Sequence, residues 1–140
     1  MNENLVRDWM TSDPITIPSN CTISAAYWLM VDKKVRRLLV VDDENLVGIV
    51  TLDDLRGKVP SILINMDPLR ANDLLANLHI YRIMTENPKT IEIDADLLKA
   101  ARLMLENKIS TLPVMEANKL VGIITESDIF RALIKRLEVD

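Results

Sequence analysis

Apolar residues fall along this chain in blocks whose spacing changes from helical to strand-like and back, and the same series of blocks occurs twice. Ile23, Ala26, Tyr27 and Met30 stand at i, i+3, i+4 and i+7, as do Leu97, Ala100, Ala101 and Met104. Each set predicts an amphipathic helix of about three turns. After each helix comes a short apolar run, Leu38 to Val41 or Leu112 to Met115. A polar turn follows (Asp42 to Asn45, Glu116 to Lys119), then a second run ending at Thr51 or Thr125. Two such runs about a short polar turn predict a β-hairpin. A last helix is predicted from Leu52 in the first copy and from Glu126 in the second, the latter through Ile129, Phe130, Leu133, Ile134 and Leu137.

The two copies align without a gap, residues 10–55 on 84–129 at a constant offset of 74. Met10-Thr11 matches Met84-Thr85, Pro14 matches Pro88, and Leu46-Val47-Gly48-Ile49-Val50-Thr51 matches Leu120-Val121-Gly122-Ile123-Ile124-Thr125. Repeats this similar imply that neither closes a core alone. The expected fold class is therefore α/β (α+β), two β-α-β-β-α repeats packed around a pseudo-twofold axis. Repeat one is assigned to residues 1–57, a linker to 58–79 and repeat two to 80–140. Between the repeats Gly57, Pro60 and Pro68 break the pattern, and a short helix Leu69 to Leu78 is predicted after Asp67. Its Leu74, Leu75 and Leu78 are expected to pack on the module or on a second subunit.

Composition narrows the function. The 140 residues carry 17 Lys and Arg against 21 Asp and Glu, a net charge of −4 that argues against a nucleic-acid binder. A single cysteine, Cys21, excludes an internal disulfide and a multi-thiolate metal site, and suits a reducing, cytoplasmic setting. No apolar run approaches the roughly 18–20 residues that span a bilayer, and Met1-Asn2-Glu3-Asn4 lacks the features of a signal peptide, so no membrane association is expected. His79 has no Ser or Cys partner placed for a triad, and no base, nucleophile and oxyanion donor are jointly identifiable, so the chain is not expected to be an enzyme. The methionines recur at matching apolar positions, which suits packing better than metal binding. Trp9 and Trp28 read as packing residues or dimer contacts.

The chemistry concentrates in a pattern Gly-x-x-Thr-x-x-Asp that occurs twice, from Gly48 through Thr51 to Asp54 and from Gly122 through Thr125 to Asp128. Thr51 and Thr125 sit where a helix N-cap belongs, with an acidic residue three positions on to close a capping box. The same carboxylate at a helix N-terminus can accept both hydroxyls of a ribose, while the Thr hydroxyl and free N–H groups hold a phosphate. The two readings are compatible.

Taken with the run Lys108-Ile109-Ser110-Thr111-Leu112-Pro113-Val114 that leads into Gly122-Ile123-Ile124-Thr125-Glu126-Ser127-Asp128, each copy resembles a cystathionine-β-synthase-type (CBS) repeat. The pair, over residues 6–57 and 80–137, resembles a Bateman module. Repeat one departs from the family at Leu39, where proline is common. The resemblance implies a regulatory module that binds an adenosine-containing ligand (AMP, ADP, ATP, S-adenosylmethionine or NAD in type) in inter-repeat clefts, with no cofactor required. It assigns ribose and phosphate contacts to Thr51, Asp54, Thr125 and Asp128. It adds the residues entering the second strand, Arg36 and Arg37 in one copy and Ile109 and Ser110 in the other, and the first-strand residues Ile15, Thr16, Lys89 and Thr90. A homodimer and an effector protein are the implied partners. The rival reading is a purely structural dimerisation or docking module whose Thr and Asp residues only cap helices.

Overall fold

The computed structural model describes residues 4–63 and 66–139. It is a mixed α/β protein with two four-stranded sheets. A short helix α1 (Val6–Trp9) precedes strands β1 (Thr11–Ser12) and β2 (Thr16–Ile17). Then come α2 (Ile23–Lys33), the hairpin β3 (Arg37–Asp42) and β4 (Asn45–Thr51), and α3 (Leu52–Leu63). The linker forms α4 (Pro68–Asn77) and a 3-10 turn at Ile80–Arg82. The second copy then repeats the series with β5 (Thr85–Glu86), β6 (Ile91–Glu92), α5 (Leu97–Asn107), β7 (Thr111–Glu116), β8 (Lys119–Thr125) and α6 (Glu126–Val139).

The hairpin turns are two residues long without a glycine. Asp43 and Glu44 have φ of 48° and 68°, and Ala117 and Asn118 have 52° and 65°, the left-handed pair that a type I′ turn requires. Two further residues with positive φ, Lys34 and Lys108, end α2 and α5. These residues, and Asp13 with Asn87, stand in pairs 74 positions apart. The repeat is thus kept in the backbone even where side chains differ.

Strand pairing divides the chain into two compact units, Ile15–Pro88 and Met1–Pro14 with Lys89–Asp140. In the first unit the sheet order is β2-β3-β4-β5, with β2 parallel to β3 and the rest antiparallel. In the second it is β1-β8-β7-β6, with β6 parallel to β7. The outer strand beside each hairpin therefore comes from the segment that precedes the other repeat. The Met10-Thr11 segment pairs on β8, Thr11 facing Ile123 and Ser12 facing Gly122. The Met84-Thr85 segment pairs on β4, Thr85 facing Ile49 and Glu86 facing Gly48. The helical arm follows it: the Val6 N–H donates to Ala95 O at 2.8 Å and the Leu97 N–H to Asn4 O at 2.7 Å. In the other unit the Ile23 N–H donates to Leu78 O at 2.9 Å.

The exchange explains the two strand glycines. A Cβ on Gly122 would lie 2.8 Å from Met10 Sδ and 2.8 Å from Thr11 O; one on Gly48 would lie 2.6 Å from Met84 Sδ and 3.0 Å from Thr85 O. A strand glycine marks this kind of close approach.

The core of the first unit gathers Ile17, Ile23, Ala26, Met30, Leu38, Val40, Val50, Leu55, Val59, Leu78, Ile80 and Ile83. That of the second gathers Val6, Ile91, Ala100, Met104, Leu112, Val114 and Ile124. Two expectations need correction here. The linker helix runs from Pro68 to Asn77 rather than Leu69 to Leu78, because proline suits the first helical turn, where no N–H partner is needed. Leu78 lies past its end and is buried with Leu74 packed nearby, so this helix packs on its own unit, against α2. The side chain of Leu75 lies outside the described residues. Tyr27, placed by spacing on the buried face of α2, is 42% exposed and stands edge-on to Trp28, itself 63% exposed. No helix among the described residues is long and apolar enough to cross a membrane.

Candidate functional site

The Thr-x-x-Asp pairs sit where a hairpin strand passes directly into a helix, once in each unit. In the first, the Thr51 N–H donates to Asp54 Oδ2 at 2.9 Å while the Asp54 N–H donates to Thr51 Oγ1 at 3.0 Å. This is a reciprocal capping box at the start of α3. In the second, the Thr125 N–H donates to Asp128 Oδ2 at 2.9 Å and the Thr125 hydroxyl donates to the same oxygen at 3.2 Å. Each carboxylate is thereby fixed at the positive end of a helix by one oxygen turned to the cap.

The strand opposite brings the entering residues alongside. Arg37 faces Thr51 across the β3–β4 ladder, and partners directly opposite share a sheet face. Its neighbour Arg36 points elsewhere. The Arg36 guanidinium lies 3.9 Å from the Asp53 carboxylate with both side chains mostly exposed, while the Arg36 carbonyl accepts the Leu52 N–H at 2.7 Å. Ile15 O accepts the Leu39 N–H at 3.3 Å and Thr16 faces Leu39, which sets Ile15 and Thr16 two residues along from Arg37. In the second unit Thr111 faces Thr125, and Ser110 O accepts the Glu126 N–H at 3.0 Å. Ile109 packs against the core, its N–H bonded to Met104 O at 3.0 Å. Lys89 and Thr90 are exposed just before β6, whose Ile91 faces Val114. Pro113 has no N–H to give to the first strand as Leu39 does.

Two cations were not singled out from the sequence, and one residue of the second-strand run carries an unexpected feature. Lys58 lies 3.6 Å from Asp54 Oδ1 and donates to Ile83 O at 2.9 Å. Arg131 donates to Asp128 Oδ1 at 2.7 Å. The signal for both was a basic residue four or three positions after an aspartate on one helix face. The Thr111 hydroxyl, in the run Ile109-Ser110-Thr111 that the family resemblance points to, is buried without a hydrogen-bond partner. An orphaned buried hydroxyl calls for an explanation, and it stands directly across from Thr125.

The two carboxylates differ in access. The Asp54 side chain keeps 19% of its surface exposed and that of Asp128 only 6%.

A family model for the CBS domain matches residues 6–61 and 80–135. A CBS domain-containing protein of Dictyostelium discoideum is 36% identical over 139 residues, covering 96% of this chain and 94% of that protein. Homoserine O-acetyltransferase of Methanococcus vannielii is 35% identical over 131 residues, covering 92% of this chain but 25% of the transferase. Against several of its curated relatives, therefore, the chain spans well under half their length. Among solved structures, CBSX2 in complex with AMP superposes with a TM-score of 0.77 at 32% identity, covering 94% of this chain and 97% of that one. A CBS domain pair in complex with 5′-methylthioadenosine and S-adenosyl-L-methionine superposes with a TM-score of 0.74 at 30% identity, covering 94% and 97%.

Proposed function

The chain belongs to the CBS domain family, and from that premise we propose that it is a regulatory ligand sensor whose two Thr-x-x-Asp sites take an adenosine-containing ligand. The observation that carries this reading is the pair of oriented carboxylates, Asp54 and Asp128, each capped at a helix N-terminus beside a hydroxyl. The similar CBSX2 structure with AMP and the pair with 5′-methylthioadenosine and S-adenosyl-L-methionine support the ligand class. In this reading Asp54 and Asp128 accept ribose hydroxyls. Thr51 and Thr125 with nearby N–H groups hold the sugar or phosphate. Arg37, opposite Thr51, supplies a guanidinium to phosphate, where the second site offers the neutral Thr111.

Binding acts by linkage. A ligand biases two arrangements of the protein only by its differential affinity for them, typically about 1–3 kcal/mol, and the output passes to a partner protein. The bonds and residues named above support binding rather than catalysis.

A thermal-shift panel of adenosine, AMP, ADP, ATP, S-adenosylmethionine and NAD tests the proposal. A ligand at about 100 times its Kd stabilises the fold by about 2.7 kcal/mol, a Tm rise of roughly 5–15 °C for a domain of this size. Asp54→Ala and Asp128→Ala are each expected to abolish the contribution of their own site. Arg37→Ala is expected to weaken a nucleotide about tenfold or more while leaving adenosine within about threefold, since charge-assisted hydrogen bonds contribute about 1.5–3 kcal/mol. The structural-module reading rests on the completeness of the Thr51–Asp54 capping box without any ligand. It prevails if the aspartate variants merely melt lower and no member of the panel shifts the parent.

A further inference from the structure

We propose that Arg131 is a latch on the second site, a specificity-determining residue that must release Asp128 before a sugar diol can take its carboxylate. This rests on the reading that Asp128 receives ribose hydroxyls. A carboxylate only accepts hydrogen bonds, through about four lone-pair positions, and a vicinal diol needs two of them. On Asp128 three are already taken. Oδ2 holds the Thr125 N–H and hydroxyl, and Oδ1 holds the Arg131 guanidinium at 2.7 Å. The cap contacts belong to the helix start and stay. The Arg131 contact is the one a ligand displaces, because the arginine side chain is 63% exposed and reaches in from the solvent side.

The first site has no such latch. At the offset of 74, the residue aligned with Arg131 is Gly57. The cation near Asp54 is instead Lys58, which lies 3.6 Å away and is tied to Ile83 O at 2.9 Å. That distance is an ion pair without a hydrogen bond, so Asp54 Oδ1 stays open to a donor. One duplicated motif thus yields an open site and a latched one. Opening the latch frees an exposed guanidinium to water, while the diol that replaces it keeps the buried Asp128 carboxylate hydrogen-bonded. Salt weakens the pair by screening it. A neutral diol should therefore bind the second site more tightly as salt rises, opposite in sign to the salt dependence of phosphate binding.

Calorimetry with adenosine tests the latch on the full chain carrying Asp54→Ala, so that the second site alone reports. Arg131→Met is expected to tighten adenosine about two- to fivefold, the scale of one modest net hydrogen bond. It should leave 2′,3′-dideoxyadenosine, which has no diol to compete with the guanidinium, within about twofold. In protein that retains Arg131, raising NaCl from about 0.05 to about 0.5 M should tighten adenosine by about twofold, and this trend should vanish in Arg131→Met. Unchanged or weaker adenosine binding in a folded Arg131→Met protein overturns the proposal. Should that variant fail to fold, the salt series on the Arg131 protein decides alone, and an affinity that is flat or falls with salt overturns it. Absence of adenosine binding to the parent and to both aspartate variants overturns the ligand reading itself, whereas binding that is indifferent to Arg131 overturns only the latch.

Discussion

Replacing Gly122 by alanine tests the strand exchange that builds the second sheet. The added Cβ would stand 2.8 Å from Thr11 O and 2.8 Å from Met10 Sδ, closer than carbon atoms approach in a packed interior. The carbonyl is backbone and cannot swing away, so either β8 and β1 strain apart or β1 withdraws. Withdrawal would lose two ladder pairs at about 1 kcal/mol each and the burial of Val6, 0% exposed, worth about 1.5–3 kcal/mol. Overpacking with local strain costs less, about 1–3 kcal/mol. Strain therefore wins, and Gly122→Ala is expected to lower Tm by roughly 3–10 °C. Gly48→Ala should be milder, because its nearest contact is the Met84 side chain at 2.6 Å while Thr85 O lies at 3.0 Å. Gly57→Ala is the internal control: nothing lies within 4 Å of its Cβ, and it stands inside α3. Restricting the unfolded chain and restoring helix propensity should raise stability by about 0.5–1 kcal/mol. Thermal unfolding followed by circular dichroism, with limited proteolysis of the N-terminal arm, reads all three. A Gly122→Ala protein as stable as the parent, its arm equally protected, would refute the reasoning.

Two more measurements bear on the fold and its assembly. The Ser19 hydroxyl and N–H donate to the Asp42 carboxylate at 2.5 and 2.9 Å, and these bonds hold its pKa below the ordinary value, the hydroxyl contributing most. A depressed carboxylate stabilises the fold above its unfolded pKa and loses that contribution as pH falls through the folded value. Asp42→Asn should accordingly melt below the parent at neutral pH, with the gap closing in acid; a gap independent of pH would remove the charge from the account. Phe130, Leu133, Ile134 and Leu137 on α6 are each at least half exposed, a stripe at helical spacing that a second copy would cover. Sedimentation at tens of micromolar should give about twice the 15.9 kDa chain mass, and a monomer would refute a homodimer.

Most elements were legible because their signals are local. The starts of α3 and α6 followed from Thr51 and Thr125 as caps, and both hairpins from apolar runs about a short polar segment. Partner choice was not legible. Met10-Thr11 and Met84-Thr85 stood out as matching pairs, yet periodicity says nothing about which hairpin such a short strand joins. The usable clue was Gly48 and Gly122 between apolar, mostly β-branched neighbours (Val47 and Ile49, Val121 and Ile123), each leaving room for a crossing segment. Tyr27 was misplaced for a related reason: i, i+3, i+4 spacing defines a stripe but not which edge of it a small unit leaves uncovered. Of the candidate site, the motif residues were visible and the cations touching them were not, because Lys58 and Arg131 stand at different spacings and break the repeat.

On the proposed reading, that break makes the two sites unequal. In both units Oδ2 of the aspartate is committed to the helix start, at 2.9 Å from the threonine N–H, so the fold fixes one oxygen identically in each copy. What remains to vary is the second oxygen and the residue across the ladder. The first unit pairs an open Oδ1 with Arg37, a combination suited to a ribose carrying phosphate. The second pairs an Oδ1 held by Arg131 with the orphaned hydroxyl of Thr111, a combination that offers less charge to a phosphate and more resistance to a diol. The two frames share their strand pairing and caps, and differ at positions 36–37 against 110–111 and 57 against 131. If the proposed roles hold, those differences let one fold tell apart two ligands of different charge.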